Sequence, residues 1–87
     1  MKAKVNLNLP FKVNSHVTTL IIYLIQEKNL LEEEIYKSLI LNGVDINVRD
    51  DYDQGVIVHS IKANSIRLVN FFLDQPTLNK KLHERDI

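Results

Sequence analysis

The sequence predicts an all-α fold: a stack of antiparallel helix pairs behind an extended N-terminal segment. Three observations carry that expectation. Val17, Leu20, Ile21, Leu24 and Ile25 fall at i, i+3, i+4, i+7 and i+8, the stripe of a helix that buries one face. Capping and stopping residues recur between apolar runs: Asn14-Ser15, Asn29, Asn42-Gly43, Asn64-Ser65 and Pro76. Finally, the chain aligns with itself at an offset of about 32 residues, setting Leu39-Ile40-Leu41 against Phe71-Phe72-Leu73 and Asp45-Ile46-Asn47 against Thr77-Leu78-Asn79. A period in this range points to a solenoid of helix pairs.

The elements follow in chain order. Val5 to Leu9 alternates apolar with polar and reads as extended up to Pro10. Asn14 or Ser15 is set to cap a first helix, with Ile22 and Tyr23 widening its apolar face. A second helix starts near Leu30, where Asn29 and Glu32 have capping spacing and Glu32-Glu33-Glu34 suits the positive end of the helix dipole. Leu31, Ile35, Leu39 and Ile40 carry its buried side, and it ends at Leu41 or Asn42 before Gly43. Residues 43–55 read as an extended loop or short hairpin. Residues 56–63 predict a third helix, although the β-branched run Val56-Ile57-Val58 equally suits a strand. Residues 66–74 predict a fourth, capped by Asn64-Ser65 and stopped by Pro76, and the tail from Thr77 has room for a frayed helix with Leu78 and Leu82 on one side.

Composition narrows the function classes. At 87 residues, with 45% hydrophobic side chains, the chain makes one modest core and has little length to spare for a cofactor site. Eleven basic and 11 acidic residues cancel, and the pI is near 6.8, so no overall field draws it to phosphate backbones or anionic membranes. Lys2, Lys4 and Lys12 at one end and Lys80, Lys81, His83 and Arg85 at the other are basic, but such ends more often solubilise than bind nucleic acid. Without cysteine there is no disulfide and no thiolate metal site, which fits a cytoplasmic location, in its own cell or in a host cell. The sequence shows neither a signal peptide nor a membrane-spanning run.

The residues closest to chemistry do not assemble into it. His16, His59 and His83 are far apart and lack metal-ligand spacing. Ser60 beside His59 is no triad, since neighbours on a helix point apart. A calcium loop from Asp50 fails at Tyr52 and at Ile61, where a glutamate is needed. Gly43 and Gly55 are the only glycines, so no phosphate-cradling loop exists. The expectation is no catalytic residue, no metal and no cofactor.

Leu39-Ile40-Leu41-Asn42-Gly43-Val44-Asp45-Ile46-Asn47 resembles the ankyrin-repeat pattern L-L-x-x-G-A-D-[IV]-N. Residues 56–61 are similar to T-P-L-H-x-A through Val58 and His59 only, and residues 68–73 to the second-helix pattern. Gly43 and His59 stand one residue further apart than the family has them, which implies an insertion around residues 51–54. The resemblance covers about residues 16–82 as two degenerate repeats. It implies a single domain with an extended segment at 1–14, repeats at 16–47 and 48–79 and a tail at 80–87. It further implies structural roles for Gly43, Asn47 and His59, the last tying loops together. The family presents loop tips and the faces of each repeat's first helix to partners, so Arg49, Asp50, Asp51, Tyr52, Asp53 and Gln54 are the implied protein-binding residues, with Tyr52 as the aromatic anchor.

The function so implied is non-catalytic: binding another protein so as to occlude or bridge it. A small immunity or inhibitor protein that neutralises a toxin or host enzyme is the sharper alternative. A helical regulator that binds nucleic acid is the alternative of another class. Two repeats are fewer than the roughly three an array needs, so its exposed ends call for a cap, a second copy of the chain or the partner itself.

Overall fold

A computed structural model describes residues 6–27, 31–79 and 81. Two short strands, β1 (Phe11–Val13) and β2 (His16–Thr18), precede four helices: α1 (Leu20–Gln26), α2 (Glu33–Leu41), α3 (Val56–Lys62) and α4 (Ile66–Leu73). The strands pair antiparallel, Phe11 with Thr18 and Val13 with His16.

This hairpin corrects the all-α expectation and its ankyrin-like stack with a merely extended N-terminal segment. The physical reason lies in Asn14-Ser15. Both residues have positive φ, 51° and 71°, as the two central residues of a tight hairpin turn of the I′ type require. They therefore turn a hairpin and do not cap a helix. Val17 consequently belongs to β2, and α1 begins only at Leu20, after Thr19, whose side chain makes no capping bond. Of the predicted stripe, Ile21 and Ile25 are buried, joined by Ile22.

The other helices lie close to their predicted spans. α2 begins at Glu33, with Glu33 and Glu34 in its first turn, while the proposed start at Asn29 and Leu30 lies outside the described residues. It stops at Leu41, and Gly43 takes φ 94° beyond it. An added Cβ at Gly43 would meet nothing within 4 Å, so backbone conformation, not space, favours glycine there. The β-branched run 56–58 is helical because tertiary burial outweighs local propensity: Val56 and Ile57 are fully buried. Ser65 caps α4 by accepting from Leu68 N at 3.2 Å. The basic ends at Lys2, Lys4, Lys80, His83 and Arg85, and Leu82 of the proposed tail helix, lie outside the described residues.

α3 packs on α1 and on α4, and α2 packs on α4. Their shared core holds Ile21, Ile22, Ile25, Tyr36, Ile57, Leu68 and Phe72. Sequence periodicity favoured Ile35, Leu39 and Ile40 for the buried side of α2, but these are only partly buried. Tyr36 is the fully buried residue of that helix, edge-on to Phe72 with ring centroids 5.6 Å apart. Burial pushes its phenol up to about 12.

Three loop segments are clipped side by side by asparagines. Asn47 donates from Nδ2 to Thr77 O at 2.9 Å, and its Oδ1 accepts from Asn79 N at 2.7 Å, bracketing the buried Leu78. Asn8 repeats the arrangement one segment earlier: Nδ2 donates to Gly43 O at 3.1 Å and Oδ1 accepts from Asp45 N at 2.7 Å, bracketing Val44. Each clip is itself fixed by an Asx turn, Asn8 N to Asn6 Oδ1 at 2.9 Å and Asn47 N to Asp45 Oδ1 at 2.8 Å. Asn6-Leu7-Asn8 is thus a structural copy of Asp45-Ile46-Asn47, a counterpart that alternation alone did not reveal.

Candidate functional site

Residues 48–55 connect the asparagine-clipped loop to α3, and Asp50 organises them. Its Oδ1 accepts from Tyr52 N at 3.0 Å and from Gln54 N at 2.9 Å, while Oδ2 lies 2.9 Å from His59 Nε2. The two side chains are only 3% (His59) and 5% (Asp50) exposed. An ionised carboxylate can only accept, so His59 Nε2 carries the proton in this bond. Backbone bonds close the loop further: Asp50 N to Gln54 O and Asp53 N to Asp50 O, both 3.0 Å. Asp53 takes φ 58°, in the left-handed region, where the loop reverses.

Arg49 is spent on the same task. Its Nη1 donates to Asp53 O at 2.6 Å, its Nε lies 3.7 Å from Asp53 Oδ1, and the side chain is 9% exposed. The six predicted binding residues therefore split by role. Arg49 and Asp50 face inward and hold the loop; Asp51, Tyr52 and Asp53 face solvent, with Tyr52 61% exposed. Gln54 is half-buried and accepts from Lys62 Nζ at 2.6 Å.

The hairpin is the second wall of the site. Asp51 N donates to Val17 O at 3.1 Å, which fixes the loop against β2. The rings of His16 and Tyr52 lie 4.8 Å apart, with Tyr52 OH 3.1 Å from His16 Nε2, and His16 Nδ1 is 3.7 Å from Asp51 Oδ2. Phe11 meets Tyr23 edge-on at 5.9 Å, tying the hairpin to α1. Two clefts open on either side of Tyr52. One, of about 270 Å³, lies between hairpin, α1 and loop. The other, of about 320 Å³, lies between α1, the loop and α3, where Gln26, Lys62 and Ala63 join Tyr52.

His16, Tyr23, Gln26 and Glu27 complete this surface and were not singled out as site residues by sequence. A two-residue Asn-Ser turn between β-capable triplets was the available signal for the hairpin that brings His16 to Tyr52.

The residues given structural roles sit as follows. His59 joins α3 to the 49–54 loop, Asn47 joins successive loops, and Gly43 takes the left-handed turn after α2. Ser60 Oγ donates to Val56 O at 2.7 Å, back along its own helix. Among the described residues, no group of three or more His, Asp or Glu side chains is placed to hold a metal ion, and no helix is long and apolar enough to cross a membrane. No protein-family model, curated protein or solved structure matches the chain.

Proposed function

We propose that the chain is a non-catalytic protein-binding module that engages its partner through the Tyr52 face, occluding or bridging it. The observation that carries this reading is the contrast inside one loop. Asp50 and Arg49 are committed to hydrogen bonds that hold the backbone, and the large aromatic side chain next to them is left 61% exposed. Holding a loop rigid before binding removes ordering cost from association, and exposed tyrosine is a favoured anchor. The resemblance of residues 39–47 to ankyrin repeats, which bind proteins, supports the same reading. So does the placing of first-helix residues Gln26 and Lys62 beside Tyr52.

The absence of chemistry in this proposal is supported by His59, whose Nε2 is occupied by Asp50, and by Ser60, whose hydroxyl is occupied by Val56 O. Carboxylates around the cleft beside the hairpin repel phosphate, which disfavours nucleic acid as the partner. In this reading the protein acts in the cytoplasm of its own or a host cell. Ile61 and Ile66, 51% and 74% exposed on either side of the α3–α4 turn, offer a second copy an apolar contact. Light scattering at a single-chain mass removes that addition.

The test is capture from cell extract on immobilised protein, with wild type and the Asp51→Lys/Tyr52→Ala variant side by side. A protein retained by wild type and lost by a variant of unchanged melting temperature supports the proposal. Equal retention by both overturns it.

A further inference from the structure

We propose that the cleft between the hairpin, the end of α1 and the 50–52 loop is a receptor for one arginine side chain of the partner protein. The inference rests on the protein-binding reading above and names what that face recognises. At about 270 Å³ the cleft falls just below the roughly 300–1,000 Å³ typical of small-molecule sites, a size for a single side chain.

Its chemistry selects a cation. Asp50, Asp51 and Glu27 all line it, and among the described residues neither lysine nor arginine does. Asp50 is already committed to His59 and two backbone amides, so Glu27, and Asp51 with His16 Nδ1 3.7 Å from its Oδ2, are the carboxylates that face an incoming group. Glu27 stands at the C-terminal cap of α1, where unpaired carbonyls disfavour a carboxylate, and the last turn of α1 contains no basic residue to offset them. That placement costs the free protein stability and deepens the negative potential at the cleft mouth, so a bound cation relieves both carboxylate and helix end.

Its walls select a planar cation over a compact one. Tyr23 and Tyr52 line the cleft, and a guanidinium can stack on an aromatic face while donating in parallel to a carboxylate. Both rings are held before binding, Tyr23 by Phe11 and Tyr52 by His16. The wall formed by the loop is fixed to β2 by the bond from Asp51 N to Val17 O.

The test is an NMR titration of the full chain, ¹⁵N-labelled, with N-acetyl-arginine amide, its lysine counterpart and its citrulline counterpart, which keeps the shape of arginine without the charge. Arginine amide is expected to give saturating shifts at the amides of Glu27, Asp51 and Tyr52, at least about fivefold tighter than lysine, with no saturation by citrulline. In the Glu27→Gln/Asp51→Asn variant the arginine response weakens by at least about tenfold. An equal response to citrulline, or arginine shifts confined to other residues, overturns the proposal on wild-type protein alone, whatever the variant does. The two readings fail separately. Loss of partner capture in the Tyr52 variant without arginine binding in the cleft removes the arginine receptor only. Arginine binding together with capture indifferent to Tyr52 removes the protein-binding reading of this face.

Discussion

His59 Nε2 on the first turns of α3 reaches Asp50 Oδ2 at 2.9 Å, and this buried contact joins the helix layer to the loop that displays Tyr52. Removing one partner of such a pair leaves the other buried without compensation. Asp50→Ala strands His59 and two backbone amides, and should destabilise the fold by about 3 kcal/mol, lowering Tm by more than about 10 °C. Asp50→Asn keeps an acceptor for the amides and should lose roughly half as much. Thermal unfolding by circular dichroism checks the order of the two; equal losses contradict the account of Asp50 as the loop's organiser.

The asparagine clips make a second prediction. Asn8→Ala and Asn47→Ala each remove two bonds between neighbouring loops and should each cost about 1–2 kcal/mol. The two clips meet at Asp45, whose N donates to Asn8 Oδ1 and whose Oδ1 accepts from Asn47 N, so the double variant should depart from the sum. Hydrogen exchange provides the local readout, with Asp45 N losing protection in the first variant and Asn79 N in the second.

Positive φ at Asn14 and Ser15 predicts a gain. Ser15→Gly removes the penalty of a side chain in the left-handed region and should stabilise the protein by up to about 1 kcal/mol, seen as a higher urea midpoint. The same argument reversed applies to Gly43→Ala, which should cost about 1 kcal/mol even though its Cβ would find open space.

Tyr36 predicts how the fold responds to alkali. Its phenol has an ordinary value of 10.0 and is raised to about 12 by burial, so the folded state holds this proton more tightly than the unfolded chain. The resulting stability is fully present below pH 10 and is lost as pH rises from 10 through about 12, at a slope approaching about 1.4 kcal/mol per pH unit. Tyr36→Phe should flatten that part of the stability profile in denaturant titrations.

The sequence made α4 legible because Ser65, Pro76 and the apolar run agree with one another, whereas the β-branched run of α3 suited a strand as well and its burial decided for helix. The end of α2 was legible because Asn42-Gly43 leaves little alternative. The hairpin was not, since three-residue strands are too short to show a period and Asn-Ser serves a helix cap as well as a turn. Tyr36 escaped because an amphipathic pattern does not distinguish a half-buried aliphatic from a fully buried aromatic. The loop 49–54 stood out as a contact segment, but which of its side chains turn inward depends on His59 and Val17. Both lie outside the loop, so local sequence could not divide Asp50 from Asp51. The part of the cleft contributed by His16 and Glu27 depends on the same hairpin and on where α1 ends.

The claim that the Asp50-held loop exists to present Tyr52 to a protein partner is tested most directly by calorimetric titration of the captured partner into wild type and Tyr52→Ala. Tyr52→Ala should lose about 2 kcal/mol or more, roughly a 30-fold rise in Kd, with Tm unchanged because the ring is exposed. A Kd within twofold of wild type contradicts that claim.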